Sequence, residues 1–232
     1  MADQLPVNFS IPNETLISIG ATDFVTGKGS VDFFFGTVGG SNRLSQTAWY
    51  SDLIFKPGTV SVSGTANQSL DEDFDIDFHK PVTMEGDAIA TICFAITNDE
   101  AITDPEVYPI VKIRKWDGST ETEIVSVTGV TKVPKMDSVS VTRAGIFALK
   151  LTIPKTTFAP GEFLRVSVEM WQKSNATSDL ESVFLCDPKG RLKHPSELVQ
   201  AQWGHGSSQM DLTNVPGAIT TSKIQIPFKI DR

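Results

Sequence analysis

Cysteine is nearly absent: the 232 residues contain two, Cys93 and Cys186. Two cannot build the disulfide framework of a small secreted scaffold, and neither lies in a Cys-x-x-Cys or Cys/His spacing that would hold zinc. Cys93 sits inside the apolar run AIATICFAI, where a thiol packs as a small hydrophobe. Histidine is as scarce, and His79, His194 and His205 are scattered without metal-ligand spacing. No apolar run approaches the ~18 residues of a membrane span, so no membrane partner is expected. The N-terminal MADQLPVNFSIPNE has neither a basic stretch nor an apolar core. It does not read as a secretory signal, and the Asn-x-Ser/Thr matches at Asn13, Asn67 and Asn175 predict no glycan.

Positive charge is in deficit. Twenty Lys and Arg against 28 Asp and Glu leave a net charge of −8. The densest basic groups, KIRK (112–115) and KGRLK (189–193), are short. A protein that grips phosphate backbones needs clustered cations, so direct nucleic-acid binding is not expected. Catalytic signatures are missing as well. WGHGSS (203–208) sets His205 near Ser207, but no G-x-S-x-G elbow surrounds the serine. Gly39-Gly40 is followed by no helix and reads as a hairpin turn, not a phosphate loop. No carboxylate stands in a setting that marks a glycosidase pair. The expectation is a protein that is not an enzyme, with no catalytic, metal or cofactor-binding residues and no cofactor.

Helical periodicity is the last absence. One short candidate, PSELVQAQW (195–203) with Ser196 as N-cap, would be a connector. What the chain has instead is strand after strand. SVDFFFGTV, FDIDF, VYPIVKIRKW, ETEIVSVTGV, IFALKLTI and EFLRVSVEMW alternate with period 2 and are rich in Val, Ile, Phe and Thr. Between strands fall Pro57-Gly58, Asp117-Gly118, Pro160-Gly161 and Pro188-Lys189-Gly190. With 40% apolar and 21% charged residues, this predicts an all-β globular protein: an antiparallel β-sandwich or jelly roll with little helix. An N-terminal arm over 1–13 would precede a single β-sandwich domain over 14–232.

Three local readings are specific. Asp117-Gly118 predicts a hairpin with a primed turn, whose basic arm (Lys112, Arg114) faces an acidic one (Glu121, Glu123). In FAPGEFLRVSVEMW, the face of Leu164, Val166, Val168 and Met170 is apolar, while Phe163, Arg165, Ser167, Glu169 and Trp171 predict a face covered by a loop or a neighbouring subunit. In the C-terminal IQIPFKI, Pro227 cannot donate to a ladder, which predicts an edge strand or a switch of partners there.

The stretch DEDFDIDF (71–78) holds five carboxylates, and as a strand it lines Asp71, Asp73, Asp75 and Asp77 along one face. Residues two apart on a strand lie ~6.6–7 Å from each other, too far for one small cation to touch all four. The Gly and Glu of an EF-hand loop are missing: from Asp71 those places hold Ile76 and Val82. The reading is a solvated strand whose acids meet water or basic neighbours. A cation site completed by other loops and an acidic contact surface are the alternatives.

FFFGTVGGSNRLSQTAWYS, FDIDFHKPVTMEGDAIATICFAI, VKIRKWDGSTETEIVSV, FAPGEFLRVSVEMW, LCDPKGR and IQIPFKIDR, in this order, resemble β-rich virion proteins of tailed bacterial and archaeal viruses. Those are sandwich or jelly-roll subunits that decorate or complete a capsid. The resemblance implies a non-enzymatic structural role as an auxiliary capsid protein, location in the virion after synthesis in the host cytoplasm, a viral capsid protein as partner, and a homo-oligomer, with a trimer favoured. No functional residue carries over. The alternative is a carbohydrate- or ligand-binding β-sandwich module, with Trp49, Tyr50, Trp171 or Trp203 as platform. A hydrolase concealed in a jelly roll is a third.

Overall fold

A computed structural model describes residues 17–18, 28–58, 64–98, 101–102, 104–138, 141–174, 180–193 and 211–229. The 1–13 arm, the 195–203 segment, His194, His205, Ser207 and Trp203 lie outside these residues. The chain forms β1 (Ile17–Ser18), β2 (Lys28–Val38), β3 (Ser41–Ser45), β4 (Phe55–Pro57), β5 (Asn67–Asp77) and β6 (Val82–Asn98). There follow β7 (Glu106–Trp116), β8 (Glu121–Thr128), β9 (Thr142–Phe158), β10 (Phe163–Lys173), β11 (Leu180–Leu185) and β12 (Lys223–Lys229). The fold is all-β, with no helix among the described residues.

The strands join one sheet in the order β4-β11-β6-β12-β2-β3-β5-β10-β7-β8, with β1 on β2 and β9 on β6. The sheet doubles over, so that β8 packs near β9 although no ladder joins them. Its two layers enclose one core, in which the rings of Phe35, Phe74 and Phe184 meet edge to face at 5.0–5.7 Å. These come from β2, β5 and β11, so the trio ties three strands far apart in sequence.

A second, smaller cluster lies on the other side of β6. Cys93 and Ala95 pack there against Ile54, Phe55, Val183, Leu185 and Leu212. This is why AIATICFAI reads as an unbroken apolar run: its C-terminal half is buried on both faces. Both cysteines are buried and free, and burial pushes the Cys93 thiol up to about 11.

Three local expectations are corrected. The β7–β8 hairpin exists, but its turn is centred on Gly118-Ser119, with the Asp117 amide donating to the Thr120 carbonyl at 3.3 Å, and not on Asp117-Gly118 as a primed turn. Asp117 decides this: its Oδ1 accepts the amides of Ser119 (2.9 Å) and Thr120 (2.7 Å), while Gly118 takes φ 95°. The primed turn occurs instead at Gly39-Gly40 between β2 and β3, where both residues have positive φ. On β8, strict alternation would put Glu123 and Val125 on one face. A bulge makes Ile124 the extra residue, so Arg114 pairs with Glu123 and Ile113 with Val125. The acids thereby stay outside while the valine enters the core side.

β12 is not an edge strand: it lies between β2 and β6. Pro227 faces Ser30 of β2, and its missing amide is absorbed on the other side, where the pairing with β6 breaks between Gln225 and Phe228. Gly86 of β6 sits opposite at φ 122°, and a Cβ there would lie 3.5 Å from the Pro227 ring.

Candidate functional site

The acidic strand is β5, and its carboxylates meet a basic neighbour. Asp75 pairs in register with Arg165 of β10, whose guanidinium grips it through two bonds of 2.8 and 2.7 Å. Arg165 also reaches Asp73 (3.4 Å) and Glu121 (3.2 Å) and lies over the Trp116 ring. Arg114 of β7 joins Glu121 at 3.0 Å, an ion pair across the hairpin as its charge pattern predicts. The Ser167 hydroxyl donates to Asp73. The hydrogen bond to Asp75 is the main reason the Arg165 guanidinium holds its proton more tightly than usual. On this β10 face Arg165, Ser167 and Glu169 meet ionic side chains of the adjacent strands, and Trp171 stacks on Tyr108 of β7. Among the described residues, no group of three or more His, Cys, Asp and Glu is arranged to hold a metal ion.

Glu169 continues this ladder and is 5% exposed. Burial raises its pKa, but the hydrogen bonds from the Lys112 ammonium and the Trp171 indole outweigh that, so it ends below the usual glutamate range. A carboxyl with a depressed folded pKa contributes stability above its unfolded value, about 4.3, and loses it as pH falls through the folded one. The urea midpoint should therefore fall between pH 5 and pH 3. Glu169→Gln should flatten part of that slope; an unchanged slope would show that the Lys112 pair contributes nothing.

The notable geometry lies where the two layers meet. Among the described residues every ladder is antiparallel except one: β3 and β5 run parallel and touch at the single bridge Arg43↔Asp75. β5 is paired with β10 along its length, and β3 with β2. Past the bridge no further residue pair joins the two strands. A cleft of about 490 Å³ opens there, with Leu44, Ile76, Phe78 and Val82 as apolar floor. Ser45, Gln46, Thr47, Asp77, His79 and Lys80 form its polar rim. A second depression of about 230 Å³ shares Ile76 and Asp77 and adds Asn42, Arg43, Asp75 and Phe163. Of the cleft residues only His79 and the β5 acids attract attention in the sequence. Ser45, Gln46 and Thr47 carry no local signal, because the parallel contact joins segments about thirty residues apart.

The candidate aromatic platform does not assemble. Trp49 lies on Gly36, where a Cβ would come within 2.5 Å of its ring. Trp171 stacks on Tyr108 and donates its indole proton to Glu169. Tyr50 is 71% exposed, but Lys189 and Arg191 lie over its ring. His79 is in the cleft rim, 3.8 Å from Asp77.

No protein-family model and no curated protein matches the chain. Among solved structures, an aminopeptidase from a marine sediment archaeon (Thaumarchaeota) is similar over 87% of this chain and 37% of its own, at 11% identity and a TM-score of 0.50. A CocE/NonD family hydrolase from Staphylococcus aureus is similar over 87% of this chain and 37% of its own, at 11% identity and a TM-score of 0.49. The Gx strain of infectious bursal disease virus gives 84% and 40% coverage, 7% identity and a TM-score of 0.27. The chain spans little more than a third of the hydrolases it matches, and at these identities the likeness is one of fold.

Two expectations are corrected by these matches: a non-enzymatic auxiliary capsid protein, and a protein that is not an enzyme. The fold is shared with part of the aminopeptidase, and the virus match is too weak to carry an argument. The physical reason is that strand-and-turn patterns specify a sandwich, and a sandwich hosts unrelated functions.

Proposed function

We propose that the protein is a ligand-binding β domain whose site is the cleft at the β3–β5 seam, and that it works with a hydrolytic partner or domain. The observation that carries the reading is the cleft: its volume of about 490 Å³ lies in the ~300–1,000 Å³ range of small-ligand sites, and convergent polar groups surround an apolar floor. Burial of ligand against Ile76 and Phe78 supplies affinity; Gln46, Thr47 and Asp77 supply direction. The shared fold with part of an aminopeptidase supports the setting beside a catalytic unit.

Ligand-observed NMR with short oligosaccharides, peptides and small carboxylates tests this. Binders should lose their signal with Thr47→Trp, which fills the cleft, while the melting temperature stays within about 2 °C of the parent, as for surface changes. Binders unaffected by that substitution, or no binder at all, would overturn the assignment.

A further inference from the structure

We infer that the ligand of the seam is an extended polypeptide segment with alternating apolar and acidic or polar residues, which adds as a strand between β3 and β5. This rests on the seam being the ligand site and names its class. The first argument is the backbone. Through one edge β5 is fully laddered to β10, yet through the other it meets β3 at one residue pair. Past the bridge the Phe78 carbonyl accepts from the Gly161 amide and the Thr47 amide donates to the Ser45 hydroxyl, and alternation along the strands turns the peptide groups of Gln46 and Asp77 into the gap. Such edges are templates for another strand.

The second argument is the side chains. The larger cleft is floored by core-side residues, for Ile76, Phe78 and Val82 pack against the main core. The smaller depression belongs to the outer side, with Arg43, Asp75 and Phe163. Both share Ile76 and Asp77, so they flank the same backbone from opposite faces. A strand laid between them would send successive side chains alternately into an apolar and a polar recess. A sugar has no such period, and no exposed aromatic platform is present among the described residues.

The third argument is charge. Asp75 is already held by Arg165. Arg43 and Lys80 are both exposed and form no ion pair with a described residue, while Asp77 lies beside His79. Arg43 and Lys80 therefore offer two unpaired cations at the seam, on a protein of net charge −8, and suit a carboxylate on the incoming strand.

The test uses the full chain, ¹⁵N-labelled, with five probes: the capped hexapeptide Val-Ser-Phe-Glu-Val-Ser, its glutamine counterpart, two forms N-methylated at alternate amides in either register, and maltohexaose. The first should shift amide signals of Ser45–Thr47 and Ile76–Lys80. N-methylation in the better-blocking register should weaken it by about tenfold or more, the scale of one lost backbone hydrogen bond. Arg43→Ala with Lys80→Ala should weaken the glutamate peptide more than its glutamine counterpart. Equal binding of both N-methylated registers, or shifts from maltohexaose alone, would overturn strand addition while keeping the cleft as a ligand site. Shifts from no probe would overturn both.

Discussion

Phe74→Ala is expected to destabilise the protein by about 3–5 kcal/mol, the range for a large aromatic removed from a packed core. Phe74 is fully buried, and its ring meets Phe35 at 5.0 Å and Phe184 at 5.7 Å, both edge to face. Truncation leaves a cavity bounded by β2 and β11, strands that are themselves pinned by ladders on both sides and so cannot collapse inward. For a chain of this size the melting temperature should fall by roughly 6–20 °C. A double-mutant cycle with Phe35→Leu should show coupling of about 0.5–1.5 kcal/mol beyond the area lost. Calorimetry giving less than about 1.5 kcal/mol for Phe74→Ala would mean that the two layers close around the gap.

Arg165→Met is expected to cost about 2–3 kcal/mol at neutral pH, more than the ~0–1 kcal/mol of an ordinary surface pair. The guanidinium is mostly shielded and serves three carboxylates from two other strands. Its loss leaves Asp75 without a cation and Arg114 alone to face Asp73 and Glu121, at 3.8 and 3.0 Å. Arg165→Lys should recover less than half of the loss, because an ammonium cannot reproduce the two parallel bonds to Asp75. Added salt should reduce the deficit of the methionine variant by screening the remaining repulsion. Urea titration with equal midpoints for parent and Arg165→Met would show that the ladder is ornamental to stability.

Much of the fold is legible along the chain. Leu164, Val166, Val168 and Met170 announce their face by alternation, and all are buried. The hairpin at Asp117-Gly118 and the turn at Gly39-Gly40 follow from residues that tolerate positive φ. The acids of 71–77 announce an outward face, but not what covers it. Their partners Arg165 and Arg114 stand some forty to ninety residues away, and strand order alone brings them alongside. Pro227 marks an irregularity correctly but misleads about its place, since a bulge in an interior strand accommodates proline as well as an edge does. The β8 bulge is invisible for the same reason: one extra residue reverses every face beyond it, and only the partner strand fixes where it falls.

By itself the sequence determined the secondary-structure class, because period-2 alternation and glycine turns are local and leave no room for a helical stripe. It determined which side of most strands turns inward, since transfer of apolar surface from water is a property of each residue. Tertiary structure alone decided which strands became neighbours, and with that the parallel meeting of β3 and β5 at Arg43 and Asp75. The cleft exists because β3 and β5 are held by β2 and β10 on their other edges and cannot follow each other past Arg43 and Asp75. Pairing between distant segments is set by the balance of the whole core, which no short stretch of residues carries.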